Sequence, residues 1–303
     1  MKQTVQFSML LLCFLGMFSC KQKTHSKKQQ TTFIYTPTKP VQGKLKGVVE
    51  LGTSGFNSFV IEVDKNKNWI LKDREYGVSL ISEGMTNTHV INQKLQDYIQ
   101  KLLHKGLDSS AIHFVVSSGA IKEDLTKLMV NELKNIGHEV KVVSPHEEAK
   151  FALKSALPKG YHENSFVVDL GSGNTKISFL KDSIVIGLET HGSKYHQKGA
   201  YDEEVYEEVS KIASKVPKHK SKYCFILGGV PYQMASPDLN QKKSYIPLSN
   251  NANHYNNLAA IKGKKVQSGL NIYKAIVETT KCEEVIFFND GNFTIGFLLE
   301  QPF

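Results

Sequence analysis

The chain has 303 residues, and 38 Lys and Arg residues against 29 Asp and Glu residues give it a formal net charge of +9 at pH 7. A basic balance of this kind favours polyanions or anionic membranes as partners without naming one. No basic-aromatic module of the kind that binds nucleic acid is visible, so we expect no nucleic acid among the partners.

The first 19 residues are predicted to be a signal peptide. Lys2 supplies a short positive region, and the apolar segment from Phe7 to Phe18 is too short to cross a bilayer as a stable helix. Ser19 and Cys20 follow and resemble the lipobox of bacterial lipoproteins, although Phe18 stands where a small residue is usual. We expect lipid at Cys20 and a protein anchored in the cell envelope to a bacterial membrane, facing the periplasm or the outside. An ordinary cleaved signal and an uncleaved anchor are the alternatives.

Residues 20–45 are polar and rich in Lys, Gln and Thr. Such a segment buries too little apolar surface to fold alone, so it is predicted to be a flexible tether between the membrane and the folded part. Two cysteines remain in the folded part, Cys224 and Cys282, and their spacing is not that of metal ligands. A disulfide and two buried free thiols are both open for this pair.

The folded part, roughly 260 residues, is long enough for one large domain or two ordinary ones. Apolar runs on both sides of a glycine turn, between Gly47 and Asp64, predict two strands, and a third strand is expected before Leu80. An amphipathic helix ending near Gly106, a buried strand, a helix ending at Gly137, a strand and a helix with Pro145 in its first turn follow.

The pattern then restarts after Lys159. A second strand–turn–strand opening is followed by a helix, a strand with a glycine turn, a helix, and a last strand, turn and further element. The two openings, "VVELGTSGFNSFVIEV" and "VVDLGSGNTKISFL", share Val-Val-acid-Leu-Gly. This internal duplication predicts an α/β fold with two similar domains, 46–158 and 159–303. The polar segment from Ala235 to Lys265 is predicted to be a long surface excursion.

The glycine turns of the two openings are candidate phosphate-binding loops, because backbone N–H groups next to glycine can approach an anion closely. Two such turns facing each other across a cleft can hold phosphates from both sides, whereas each alone also fits a plain hairpin. The acids before the turns, Glu50 and Asp169, are placed to hold a hydrated Mg²⁺ ion. The candidate phosphate-binding residues are Gly52, Thr53, Ser54, Gly171, Ser172, Gly173, Asn174 and Thr175.

The order of these segments resembles that of the exopolyphosphatase and guanosine-pentaphosphate phosphohydrolase family, within the superfamily of actin, heat-shock chaperones and sugar kinases. "FVVSSGAIKEDL" resembles its second motif, "VVSPHEEAKFAL" its Glu-Glu-Ala segment, "CFILGGVPYQMA" a later glycine turn and "VIFFNDGNFTIGFLLE" its final segment. The resemblance extends from Gly47 to Glu300. It implies two duplicated actin-like, or ribonuclease H-like, domains that face a central cleft.

The resemblance also implies hydrolysis of a phosphoanhydride, in which water attacks a terminal phosphate. The family's catalytic base falls on Glu148, with Glu147 beside it, and a carboxylate there suits the orientation and deprotonation of a water. Without the resemblance, both glutamates would be read as complementing the positive end of a helix. Cytoplasmic nucleotides are scarce outside the cytoplasm, so inorganic polyphosphate or a related phosphorylated small anion is the expected substrate, and a kinase that needs ATP is disfavoured.

Several positions depart from the family pattern where they bear on the chemistry. Glu50 replaces an aspartate, and Lys122, the candidate cationic catalytic residue, replaces an arginine and lacks its two-pronged grip on phosphate. Lys176 replaces an acidic residue and reverses the charge at the predicted metal site. Three hypotheses follow: a phosphatase in which lysine replaces the charge of a metal, a site that binds phosphates without cleaving them, and a fold kept as an envelope scaffold. A homodimer is left open.

Overall fold

The computed structural model describes residues 33–52, 55–77, 87–241 and 243–303, and the interval from Phe33 to Phe303 forms one compact unit. The predicted signal peptide, Cys20, Thr53 and Ser54 lie outside the described residues. Within them, no helix is long and apolar enough to cross a bilayer.

The described strands and helices follow the predicted order, with four unpredicted additions in the second half: Ile184–His191, Gly229–Ala235, Tyr245–Leu248 and Asn256–Lys262. The strands are β1 Lys44–Gly52, β2 Gly55–Val63, β3 Trp69–Tyr76, β4 Ile112–Val116, β5 Val140–Val142, β6 Ser165–Leu170, β7 Asn174–Lys181, β8 Ile184–His191, β9 Tyr223–Leu227, β10 Tyr245–Leu248 and β11 Glu284–Phe288. The α-helices are α1 Thr88–His104, α2 Asp124–Asn135, α3 Pro145–Ala156, α4 Asp202–Ala213, α5 Gly229–Ala235, α6 Asn256–Lys262, α7 Lys264–Thr280 and α8 Phe293–Glu300.

The strands form two sheets with the same topology. The first has the order β3-β2-β1-β4-β5, in which β1, β2 and β3 are antiparallel neighbours and β4 and β5 run parallel to β1. The second repeats this order as β8-β7-β6-β9-β11, with β10 added antiparallel at the β11 edge. The repeated order confirms the predicted duplication and the α/β fold class.

Both sheets are covered on two faces, which explains why their central strands are continuous apolar runs. One core packs sheet one against α1 and α2, and another packs sheet two against α4 and α7. A third core lies between the sheets and joins Val48 of β1, Val167 of β6, Phe151 of α3 and Leu298 of α8. The two halves therefore share a core, and the domain boundary at 158 and 159 stays a prediction.

Helices α3 and α8 pack very closely within this central core. A Cβ atom placed on Gly296 would lie 1.9 Å from the backbone oxygen of Phe151, so only glycine allows the two helices to approach this far. The segment "FTIG", Phe293 to Gly296, is thus the first turn of α8 and a packing element.

Two predictions about polar segments are wrong in part. The tether prediction fails at its C-terminal end, because β1 begins at Lys44 and Phe33 is only 8% exposed, with its ring against those of Tyr161 and Tyr245. Phe33 and Tyr35 supply apolar surface that the average composition of residues 20–45 does not reveal. The predicted surface excursion contains β10, which pairs with β11 through the buried Ile246 and its neighbours. Both Cys224 and Cys282 are buried free thiols.

Candidate active site

A cavity of about 600 Å³ opens at the carboxyl ends of the parallel strands of both sheets. In open α/β sheets this is where ligands bind. Five strand ends contribute to its wall, namely Gly52 as the last residue of β1, Ser117 after β4, Gly171 after β6, Gly228 after β9 and Asn289 after β11. The two halves therefore meet at one site, as the duplication predicts.

Glu148, the predicted base, lies in this cavity and is only 1% exposed. It occupies the first turn of α3, which begins at Pro145 with Ser144 as its N-cap. The backbone N–H of Ser118 donates a hydrogen bond to one carboxylate oxygen of Glu148, and the other oxygen forms an ion pair with the ammonium of Lys176. The carboxylate is thus held from both halves of the molecule.

Glu147 does not reach the cavity, so its prediction as a catalytic residue is wrong. It forms a capping box with Ser144: the Glu147 N–H donates to the Ser144 hydroxyl at 3.2 Å, and the Ser144 N–H donates to the Glu147 carboxylate at 2.8 Å. The same carboxylate pairs with Lys141 at 2.6 Å, and this contact is the chief cause of a lowered pKa for Glu147. For Glu147, the helix-capping interpretation of the sequence is correct.

Lys176 extends into the cavity although it is only 4% exposed. Besides its ion pair with Glu148, its ammonium donates to the side-chain oxygen of Asn174. Asn174 in turn donates to the Ser118 hydroxyl at 3.2 Å and to the Glu189 carboxylate at 2.5 Å. Burial lowers the pKa of Lys176 to about 7, and the negative charges of Glu189 and Glu50 oppose that shift.

The duplication places the same kind of pair at the end of each sheet. Glu50 lies opposite Asn57 in the ladder of β1 and β2, and Asp169 lies opposite Lys176 in the ladder of β6 and β7. Residues directly opposite in an antiparallel ladder share a face, so each acid has its partner beside it. Lys176 therefore holds the position that Asn57 holds in the first half.

The two acids interact electrostatically across the cavity. Burial, and next the negative charge of Glu50, raises the pKa of Asp169 to about 7. Burial also raises the pKa of Glu50, although one oxygen of Glu50 accepts hydrogen bonds from the side-chain amides of Asn57 at 3.0 Å and Asn292 at 3.1 Å. The two amides thus share one of the two carboxylate oxygens of Glu50.

A magnesium ion held by Glu50 and Asp169 does not fit this arrangement. Mg²⁺ requires a near-octahedral set of oxygen ligands, whereas Asn amide donors face one oxygen of Glu50 and the ammonium of Lys176, opposite Asp169 in the ladder, already pairs with Glu148. Across the described residues, no group of three His, Cys, Asp or Glu side chains is placed to hold a metal ion. Glu50 and Asp169 therefore do not form the Mg²⁺ site that the sequence predicted.

The predicted phosphate loops are brought together in the cavity wall. Gly52, Gly171, Ser172, Gly173 and Asn174 all line it. Thr175 does not, because it is fully buried on the opposite face of β7 from Lys176, towards the core under α4 and α7, and its prediction as a phosphate-binding residue is wrong.

A third glycine turn, Gly228 and Gly229, completes the wall. Gly228 has a φ of 116°, and a Cβ atom there would lie 2.2 Å from the backbone oxygen of Leu170. Glycine is therefore required for β9 to end against the second phosphate loop. The sequence contained this signal in "CFILGGVPYQMA".

Lys122, the predicted cationic contact, is exposed in the turn after β4 and is not part of the cavity wall. Its positive charge acts on Lys176 from nearby and lowers the pKa of that lysine further. Lys176 is instead the cation beside the predicted base, with Lys262 and Lys265 elsewhere in the wall. The sequence reasoning missed the last two lysines because they belong to the polar segment interpreted as an excursion, although the run "IKGKK" was a visible basic signal.

Solved structures match the chain over most of its length. The Ppx/GppA family member of Aquifex aeolicus aligns with a TM-score of 0.65 and 18% identity, over 85% of this chain and 97% of that one. The exopolyphosphatase of Cytophaga hutchinsonii aligns with a TM-score of 0.67 and 12% identity, over 84% of this chain and 96% of that one. An exopolyphosphatase-like protein aligns with a TM-score of 0.64 and 15% identity, over 86% and 98%.

No protein-family model matches the chain, and no curated protein does. The structural matches show that this chain has the fold of the Ppx/GppA structures, which confirms the resemblance expected from the sequence motifs as a likeness of fold. At these identities the likeness carries no residue roles.

Proposed function

We propose that the protein is a hydrolase of phosphoanhydride bonds that acts on inorganic polyphosphate or a related polyphosphorylated anion. The observation that supports this best is the position of Glu148, a buried carboxylate that shares one cavity with three glycine turns. Glycine turns offer backbone N–H groups to phosphate oxygens, and a carboxylate beside them can orient a water for attack on phosphorus.

In this proposal the terminal phosphate lies against the turns at Gly52 and Gly171 and contacts the ammonium of Lys176. The Lys176 ammonium then leaves its ion pair with Glu148 and pairs with the phosphate. The Glu148 carboxylate becomes free to accept a proton. A water attacks the terminal phosphorus, the bond to the bridging oxygen breaks, and the water proton passes to Glu148. The shortened chain leaves with the electron pair of that bond. The base is thus released by substrate binding.

A chain of phosphates suits this cavity better than a single phosphate. Lys262 and Lys265, at the junction of α6 and α7, add positive charge to the wall beside the third glycine turn. Burial, and next the positive charge of Lys194, lowers the pKa of Lys265. Cations at a second place in the wall match a ligand that carries negative charge along its length.

The alternative is a protein that binds phosphate chains without cleaving them, as an envelope scaffold does. The ion pair between Glu148 and Lys176 favours this alternative, because a carboxylate held by an ammonium is a poorer base.

In either case we propose that the N-terminal lipid at Cys20 anchors the protein to a membrane. Incorporation of radiolabelled palmitate that is lost in Cys20→Ser but kept in Cys13→Ser would support the anchor, and equal labelling of both variants would refute it.

Phosphate release from polyphosphate by the purified full-length chain tests the activity. Glu148→Gln should lower the rate about a hundredfold or more. Glu147→Gln is the matched control, because the neighbouring glutamate caps α3 outside the cavity and its loss should leave the rate nearly unchanged. Polyphosphate binding without release would favour the alternative, and neither release nor binding would overturn both proposals.

A further inference from the structure

We propose that the Lys176 ammonium takes the place of a divalent cation in this cavity, so that phosphate groups bind there without any metal ion. This inference rests on the proposed function, because it names the cation of the same site. Lys176 stands where the sequence predicted a metal site, and an ammonium cannot be a metal ligand.

The position of Lys176 is fixed from several elements. It arises from β7 directly opposite Asp169 of β6, and its ammonium contacts Glu148 of α3 and the Asn174 side chain. The Asn174 side chain is itself held by Glu189 of β8. A lysine held by these contacts presents its charge at a defined place, which a flexible surface lysine cannot do.

Two of the three acids of the cavity already have partners within the protein. Glu50 accepts two amide hydrogen bonds, and Glu148 has an ion pair and a backbone donor. Lys176 arises directly opposite Asp169 in the ladder of β6 and β7. A divalent cation entering here would approach an ammonium and would have to displace amide donors from its ligand. Like charges at this separation in a buried site disfavour each other strongly. The protein thus excludes the metal by occupying its place.

Binding of inorganic tripolyphosphate to the full-length chain, measured by calorimetry in EDTA, tests this inference together with binding of Mn²⁺ in the absence of phosphate, measured by electron paramagnetic resonance. We expect tripolyphosphate to bind in EDTA and Mn²⁺ not to bind stoichiometrically. Lys176→Gln should weaken tripolyphosphate binding about tenfold or more, the value of a charge-assisted hydrogen bond. Lys181→Gln, at the exposed end of the same strand, should leave it unchanged.

The outcomes separate this inference from the proposed function. Stoichiometric Mn²⁺ binding, with tripolyphosphate binding lost in EDTA and restored by Mg²⁺, would overturn the inference and leave the proposed function standing. No tripolyphosphate binding with or without Mg²⁺ would overturn both. The measurements on the unmodified chain decide the matter even if Lys176→Gln fails to fold. Lys176→Glu adds an independent check, because a fourth acid in place of the ammonium should create Mn²⁺ binding that the unmodified chain lacks.

Discussion

The carboxylate of Glu148 and the ammonium of Lys176 form an ion pair in which both side chains are almost wholly buried, and the pair joins α3 to β7 across the central core. Each charge depends on the other, because burying a charge alone is costly. Lys176→Met should therefore lower the free energy of unfolding by about 3 to 5 kcal/mol. The double variant Glu148→Met with Lys176→Met should recover much of that loss.

Urea unfolding of the two single variants and the double variant measures this coupling. If the two single losses simply added in the double variant, the pair would not be coupled and the ion pair would have no stabilising role. Lys181→Met is the control for loss of a lysine from the same strand, and its effect should be small because that side chain is exposed.

Gly296 should not tolerate a methyl group. The Gly296→Ala side chain would overlap the backbone of Phe151, which cannot move aside as a side chain can. We expect a loss of about 3 kcal/mol or more in the free energy of unfolding. Gly229→Ala is the matched control, because a Cβ atom there meets nothing within 4 Å. Equal melting temperatures for the two variants would contradict the close packing of α3 and α8.

Stability should depend on pH through Asp169, whose pKa rises from 3.8 to about 7 in the folded chain. Between these values the folded state holds a proton that the unfolded state has lost. This contribution to stability is present below pH 3.8 and disappears as the pH rises to about 7.

Asp169→Asn removes the titrating group, so the stability of the unmodified chain should fall relative to that of the variant between pH 4 and 7. Melting temperatures at several pH values test this. A constant difference over that range would show that Asp169 titrates normally. The comparison stops at pH 7 because the pKa of Lys176 is about 7 in the folded chain and 10.5 in the unfolded chain, so between those values its titration makes stability rise with pH.

Phe33 should hold the segment before β1 against the second sheet. Phe33→Ala empties a site between the rings of Tyr161, Phe225 and Tyr245 and should cost about 3 kcal/mol or more. Ile34→Ala, at a neighbouring side chain that is 84% exposed, is the matched control and should change little. Limited proteolysis measures the local effect, and Phe33→Ala should speed cleavage before Lys44. Equal cleavage rates in the two variants would argue against docking of this segment.

Lys265 should matter more for long phosphate chains than for short ones. It lines the cavity with Lys262, beside the third glycine turn. Lys265→Gln should weaken binding of long polyphosphate about tenfold, with less effect on tripolyphosphate. Lys264→Gln is the control, because Lys264 is exposed and is not part of the cavity wall. The same loss for both ligands would place Lys265 at the terminal phosphate instead.

Periodicity and turn chemistry predicted the elements and the duplication well, because strands buried on both faces and helices ended by glycine leave clear local patterns. The placement of Glu148 in the cavity also agreed with the resemblance. Its neighbour Glu147 could not be assigned in the same way, since adjacent residues on a helix face different directions and only the capping contacts decide which one points inward.

The failed predictions depended on long-range contacts. The apolar surface that buries Phe33 comes from residues more than a hundred positions later, and β10 becomes a strand only through its pairing with β11. The charge reversal at Lys176 was visible in the sequence. Its ion pair with Glu148 was not, because it depends on how α3 lies over β7.

The docking of Phe33 also has a mechanical consequence for a chain anchored by its N-terminus. A load applied through residues before Phe33 reaches the ring cluster around Tyr161 first, and reaches β1 only after that cluster has given way. If Cys20 carries the proposed lipid, the strand that ends in Gly52 at the cavity would be shielded from tension at the anchor. Such a protein could be pulled at its N-terminus while the glycine turns of the cavity keep their geometry.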